Sequence, residues 1–188
     1  MEIFPQPEFD PLREFLDALL NDLAAVKIYE YRAVEAFRER IVATVGLMHP
    51  LANGDRIRQI ISINCALRQG YARWLSSQSE ISLYGIPAAE AVYMCPKPHP
   101  ILWRRRWKQA GGTIRKGRMV ALRNDPVWAR LSFMGLPFAP FAPECPLNTI
   151  GVNRDDAIAL GLNPQVPFHA AKIDFPKGIL FFDMLPPV

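Results

Sequence analysis

Three cysteines and three histidines in 188 residues leave little material for a metal centre or a disulfide framework. Cys65, Cys95 and Cys145 are odd in number and widely spaced, which argues against a secreted scaffold held by bridges. Glycine, at 11, is too scarce for a collagen-like chain or a flexible linker protein. No apolar run of about 18 uncharged residues occurs, so no helical membrane span is expected. The opening MEIFPQPEFD is acidic and carries two prolines, unlike a signal peptide. Gly-x-Ser-x-Gly, His-Glu-x-x-His and Walker patterns are all missing, as is any internal repeat.

What is present is a globular composition, 50% hydrophobic and 21% charged, with an excess of proline. The 18 prolines are about twice the usual share of roughly 5%. Their placement matters more than their number. Pro50 is the only one between Pro11 and Pro87, and the remaining 14 run from Pro87 onward. Proline removes a backbone donor and breaks helices. The sequence therefore divides into a helix-permissive half and a half of short elements and extended loops.

Asp10-Pro11 reads as a helix start, an acidic cap followed by proline at the first helical position. Leu12, Phe15, Leu16, Leu19, Leu23, Val26, Ala33, Val34, Phe37, Ile41 and Val45 then recur at three- and four-residue steps, forming one apolar stripe. This predicts a helix from 11 to about 45. Glu30 is the one discord on the stripe, and a break near 27–31 would remove it. Gly46 to Gly54 reads as a turn, and a second helix is expected from about Asp55 to Leu75, pairing with the first as a hairpin. Asn64 and Arg68 fall on its apolar side. A polar group there needs a hydrogen-bond partner, so they are expected to anchor the hairpin, with a direct functional contact as the other reading.

In the second half a short helix is expected over about 100–110, stopped by Gly111-Gly112. A β-hairpin follows, with Lys116-Gly117 between Thr113-Ile114 and Arg118 to Leu122. Asn124-Asp125-Pro126 begins a turn or short helix. Asn153 to Asp156 resembles a capping box, opening a helix that Gly161 stops. Pro137 to Pro146 should run extended over a surface. The expected class is α+β, in three parts: a helical hairpin with an N-terminal arm (1–85), a small basic α+β domain (86–163) and an extended C-terminal arm (164–188). Phe138, Phe141, Phe181 and Phe182 are candidates for an apolar, partner-binding arm.

Charge concentrates in one block. Residues 102–130 hold nine Lys/Arg against one acid, for a net +8 inside a chain of net +4. Arg104, Arg105, Arg106, Lys108, Arg115, Lys116 and Arg118, with Trp103 and Trp107 between them, could grip phosphates and stack bases. The same pattern suits an acidic protein surface, or a solvated face around two core tryptophans. Metal candidates reduce to Cys95 and His99 with distant Cys145 and His169, a single local pair where zinc sites show two. No metal or cofactor is expected, and no catalytic signature emerges.

Some blocks carry a resemblance. Arg58 to Trp74 (RQIISINCALRQGYARW) looks like the signature helix of tailed-phage minor head proteins of the Mu F-like head-morphogenesis family. Trp107 to Thr113 with Gly117 to Trp128 (GRMVALRNDPVW), Gly135 to Phe141 (GLPFAPF) and Arg154 to Gly161 (RDDAIALG) resemble stretches of prophage-borne relatives. The match covers about residues 55–162. Where the family often ends in a proline-rich, cysteine-containing loop, this chain has Pro143-Glu-Cys145-Pro, with one Cys and no paired Cys or His, so no metal or toxin-like activity is carried over. The resemblance implies a non-enzymatic virion component, oligomeric in the particle and working in head assembly and DNA packaging. Its partners would be capsid, portal or connector proteins, with DNA as a further candidate, in the virion and in host cytoplasm during assembly.

Overall fold

The structure, a computed structural model, describes residues 9–94 and 101–164, with residues 173 and 175. The chain is α+β. The described residues form two compact units, which part between Ala66 and Leu67.

The first unit begins with α1 (Asp10–Ala24) and α2 (Glu30–Val45), which pack on each other. Pro11 stands in the first turn of α1, where its missing N–H costs nothing. Leu12, Leu16, Leu19 and Leu20 of α1 and Ala33, Phe37 and Ile41 of α2 are buried at helical spacing. The expected single helix over 11–45 is thus two helices. Glu30 is not a flaw on a stripe: it opens α2, where an anion faces the positive end of the helix.

The break between them has a defined cause. Lys27 N donates to Asp22 O and Val26 N to Leu23 O, the paired bonds of a Schellman motif. Val26 takes the left-handed position at φ 56°. After Gly46, a 3-10 turn (Pro50–Ala52) leads to α3 (Gly54–Ser76), whose first N–H groups of Asp55 and Arg56 donate to the Asn53 side chain. Ile57, Ile60, Ile61 and Leu67 of α3 are buried.

The second unit takes the last turns of α3, then α4 (Glu80–Gly85), β1 (Ala88–Tyr93), α5 (Trp103–Gln109), β2 (Ile114–Arg115), β3 (Arg118–Leu122), α6 (Val127–Leu131), β4 (Leu147–Val152) and α7 (Arg154–Ala159). The four strands form one antiparallel sheet in the order β2-β3-β1-β4. Lys116 and Gly117 both have positive φ, 49° and 81°, the requirement of a two-residue hairpin turn between β2 and β3.

Strand alternation separates two cores. Ala89, Ala91, Met119, Ala121 and Leu147 face Trp103 and Trp107 of α5 and Trp128 and Leu131 of α6. Ala88, Val120 and Val152 face Ala157 and Leu160 at α7. In the larger core Trp107 and Trp128 meet edge to face at 5.1 Å, and Trp128 stacks on Phe141 at 6.1 Å. Their indole N–H groups donate to Thr113 O and Leu122 O, so both rings are buried with their polar atoms satisfied.

The proline-rich segment corrects an expectation. Phe138 and Phe141 are not a partner-binding arm. They are 3% and 0% exposed, inside the second unit. Phe138 packs on Tyr71 and Trp74 of α3, at 5.9 and 6.0 Å. The segment reaches α3 through a gap that only glycine leaves, because a Cβ on Gly70 would collide with the Ala139 carbonyl. Phe181 and Phe182, the other half of the expected arm, lie outside the described residues, as do Cys95, His99 and His169.

Candidate functional site

The basic segment sits on α5, β2 and β3, and most of its guanidinium groups are committed within the fold. Arg104 donates to Gly117 O at 2.6 Å. Arg106 donates from Nε to Leu131 O at 2.6 Å and lies over the Phe133 ring at 3.7 Å. Arg115 donates to Leu160 O and Gly161 O at 3.1 and 3.0 Å. Arg118 makes a two-nitrogen contact with Glu90 Oε2, at 2.9 and 2.6 Å, diagonally across β3 and β1. That hydrogen bond, together with the carboxylate charge, raises the Arg118 pKa above its ordinary value against some desolvation.

The targets have a common character. Leu131 ends α6, and Leu160 and Gly161 close α7. At the C-terminal end of α4, Arg123, also within residues 102–130, donates to Ile86 O, and Arg154, outside them, donates to Tyr84 O. These helices have five or six residues, so nearly all of their carbonyls lack an intrahelical partner. A guanidinium there satisfies an orphan carbonyl and opposes the negative end of the helix dipole. Four arginines therefore act as C-terminal caps for three short helices.

Arg105, Lys108 and Lys116 remain as exposed members of the segment. Seven cations expected to share one binding face are thus divided into four internal contacts and three exposed charges. Sequence reasoning missed this division because the acceptors are backbone carbonyls 25–46 residues away for Arg106 and Arg115.

The proposed hairpin anchors resolve differently. Asn64 is 4% exposed and donates from Nδ2 to Ile60 O, one turn back in its own helix, at 2.8 Å. Arg68 is half-buried. Cys145, the one described member of the metal candidates, donates its thiol toward Leu147 O at 3.8 Å. Burial pushes that thiol pKa up, against weaker backbone hydrogen bonds that pull it down. A half-buried thiol whose pKa is raised is a poor nucleophile.

A cavity of about 330 Å³ opens in the second unit. Arg73 and Trp74 from the end of α3, Arg123 after β3, Trp128 of α6, Phe138 and the β4 residues Asn148 and Thr149 line it, among others. Nothing in the sequence gathers these residues. They come from five separated stretches, and only the small side chains of the sheet, such as Ala89, leave room between them. No helix among the described residues is long and apolar enough to cross a membrane. No protein-family profile, curated protein or solved structure matches this chain.

Proposed function

We propose that the chain is a structural component of a tailed-phage head that works through contacts with other virion subunits rather than by catalysis. The observation that carries this reading is where its family-like blocks fall. Trp107 to Trp128, Gly135 to Phe141 and Arg154 to Gly161 are dispersed in the sequence. Together they supply the β2–β3 hairpin, the Trp107–Trp128–Phe141 core and α7 of a single compact unit. Resembling blocks that meet in one compact unit fit a shared fold better than chance similarity of isolated motifs.

Exposed apolar side chains supply the contact chemistry. Ile81, Tyr84 and Ile86 lie on and just after α4, and Ile150 lies on the edge strand β4, all exposed. In the first unit Val26, Tyr29, Tyr31, Leu47 and Met48 are likewise exposed. Side chains of this kind are what a subunit buries on assembly. The neighbours would be capsid, portal or connector subunits. The alternative reading, a nucleic-acid-binding protein or nuclease using residues 103–118, has Arg104, Arg106, Arg115 and Arg118 already bonded within the fold and Arg105, Lys108 and Lys116 exposed.

The test is quantitative mass spectrometry of gradient-purified virions and procapsids from cells carrying this gene. The expected result is this chain at a fixed ratio to the major capsid subunit. Its absence from both kinds of particle would overturn the proposal.

A further inference from the structure

We propose that the cavity of the second unit binds a small organic oxyanion, a phosphate- or carboxylate-headed molecule with a flat apolar body. The proposal stands apart from the virion reading, since ligand binding and particle composition are measured separately.

Among the described residues, the lining carries two arginines, Arg73 and Arg123, and no carboxylate. Its hydrogen-bonding capacity is unevenly used. The hydroxyls of Ser76 and Ser77 are spent on the carbonyls of Arg73 and Trp74. Toward the described residues Arg123 donates from Nε, to Ile86 O, and its two terminal nitrogens remain. Among the described residues, the Arg73 guanidinium, the Asn148 amide nitrogen and the Thr149 hydroxyl have no acceptor. The Trp74 indole nitrogen is buried with no partner. What is left over is a set of donors from five side chains that line one space.

A buried donor without an acceptor, as at Trp74, is costly, and so is a half-buried guanidinium such as Arg123 with no counter-charge among the described residues. Desolvation lowers the Arg123 pKa from its ordinary value, a sign of that cost. An oxyanion is acceptor-only and answers all of these groups at once, with the two guanidiniums offering charge-assisted bonds. The remainder of the lining selects the body of the ligand. Trp74, Trp128 and Phe138 present aromatic surface and Ala89 leaves space beneath it, in a volume typical of small-molecule sites.

The experiment is isothermal titration calorimetry of the full chain with three probes: adenosine monophosphate, benzoate and inorganic phosphate. Saturable binding of adenosine monophosphate or benzoate is expected, and which of them binds identifies the head group. Arg73→Gln should weaken that binding about tenfold, the loss of one charge-assisted contact. Arg130→Gln removes an exposed cation outside the lining and should leave it within about twofold. Arg123→Gln tests the deeper arginine. Should that variant not fold, Arg73→Gln still decides, because Arg73 is exposed and makes no side-chain bond that the fold needs. No saturable heat with any probe at millimolar concentration would overturn the proposal. So would equal weakening by Arg73→Gln and Arg130→Gln, which would mean general charge attraction. Inorganic phosphate binding as tightly as adenosine monophosphate, with no benzoate binding, would overturn the flat body.

Discussion

Val26 shows how one residue can hide a helix end. Three helices of this protein close with the same pair of Schellman bonds. In α5 the left-handed position is Gly111 and in α7 it is Gly161, at φ 90° and 76°. In α1 it is Val26, a β-branched residue that is 82% exposed. Both glycine stops were legible in the sequence, because glycine is the usual signal for that backbone. The α1 stop was not, because a valine on an apolar stripe reads as helix continuing. The left-handed conformation costs a non-glycine residue roughly 1–2 kcal/mol. Val26→Gly, which gives up little packing, should therefore stabilise the protein by about 1 kcal/mol in urea unfolding. A loss of stability would show that the valine makes a contact worth more than its strain. Cys145 gives a residue-scale prediction with a pH sign. Its thiol pKa is raised in the fold, so the neutral form is favoured when folded. Its contribution is fully present below the unfolded thiol pKa and is lost as pH rises through the higher folded value. Maleimide labelling of Cys145 at pH 8 should be slow in the native protein and fast in urea, read by peptide mass mapping.

At the scale of elements, legibility followed the range of the interactions. The β2–β3 hairpin, the α7 cap and the α3 start are set by neighbours. Asn153 accepts from Asp156 N at 2.8 Å, and that bond follows from the local pattern Asn-x-x-Asp. Strands β1 and β4 were not legible. Ala88 to Tyr93 is alanine-rich, and Leu147 to Val152 contains asparagine and glycine, so the strand preference of Val92, Tyr93, Thr149, Ile150 and Val152 is diluted. They become strands because small side chains let the sheet lie close under Trp103, Trp107 and Trp128. The proline-rich segment followed the same logic. Proline count predicted an exposed arm, but Phe138 and Phe141 had more to gain from burial. Gly70→Ala should test that packing directly. The added Cβ meets a backbone carbonyl that cannot swing aside, and overpacking of this kind costs about 2 kcal/mol. The expected result is a lower urea midpoint with an unchanged slope; an unchanged midpoint would mean the segment is free to move off α3.

At the scale of the whole molecule, the net charge of +4 and the +8 block were readable at once, but their purpose was not. A dense run of arginines signals nucleic acid in a list of residues. In the fold three of its arginines, Arg106, Arg115 and Arg123, meet a different need: short helices have too few residues to satisfy their own carbonyls, and a long, permanently charged donor can reach them from elsewhere in the chain. The most direct measurement pairs two readouts on Arg106→Ala and Arg115→Ala. Urea unfolding should show each variant destabilised by about 1–2 kcal/mol, the loss of charge-assisted bonds to carbonyls at helix ends. The salt dependence of any DNA binding should keep the wild-type slope. Variants with unchanged stability, and a slope reduced by about one for each arginine removed, would contradict the account and make the segment a phosphate-binding surface.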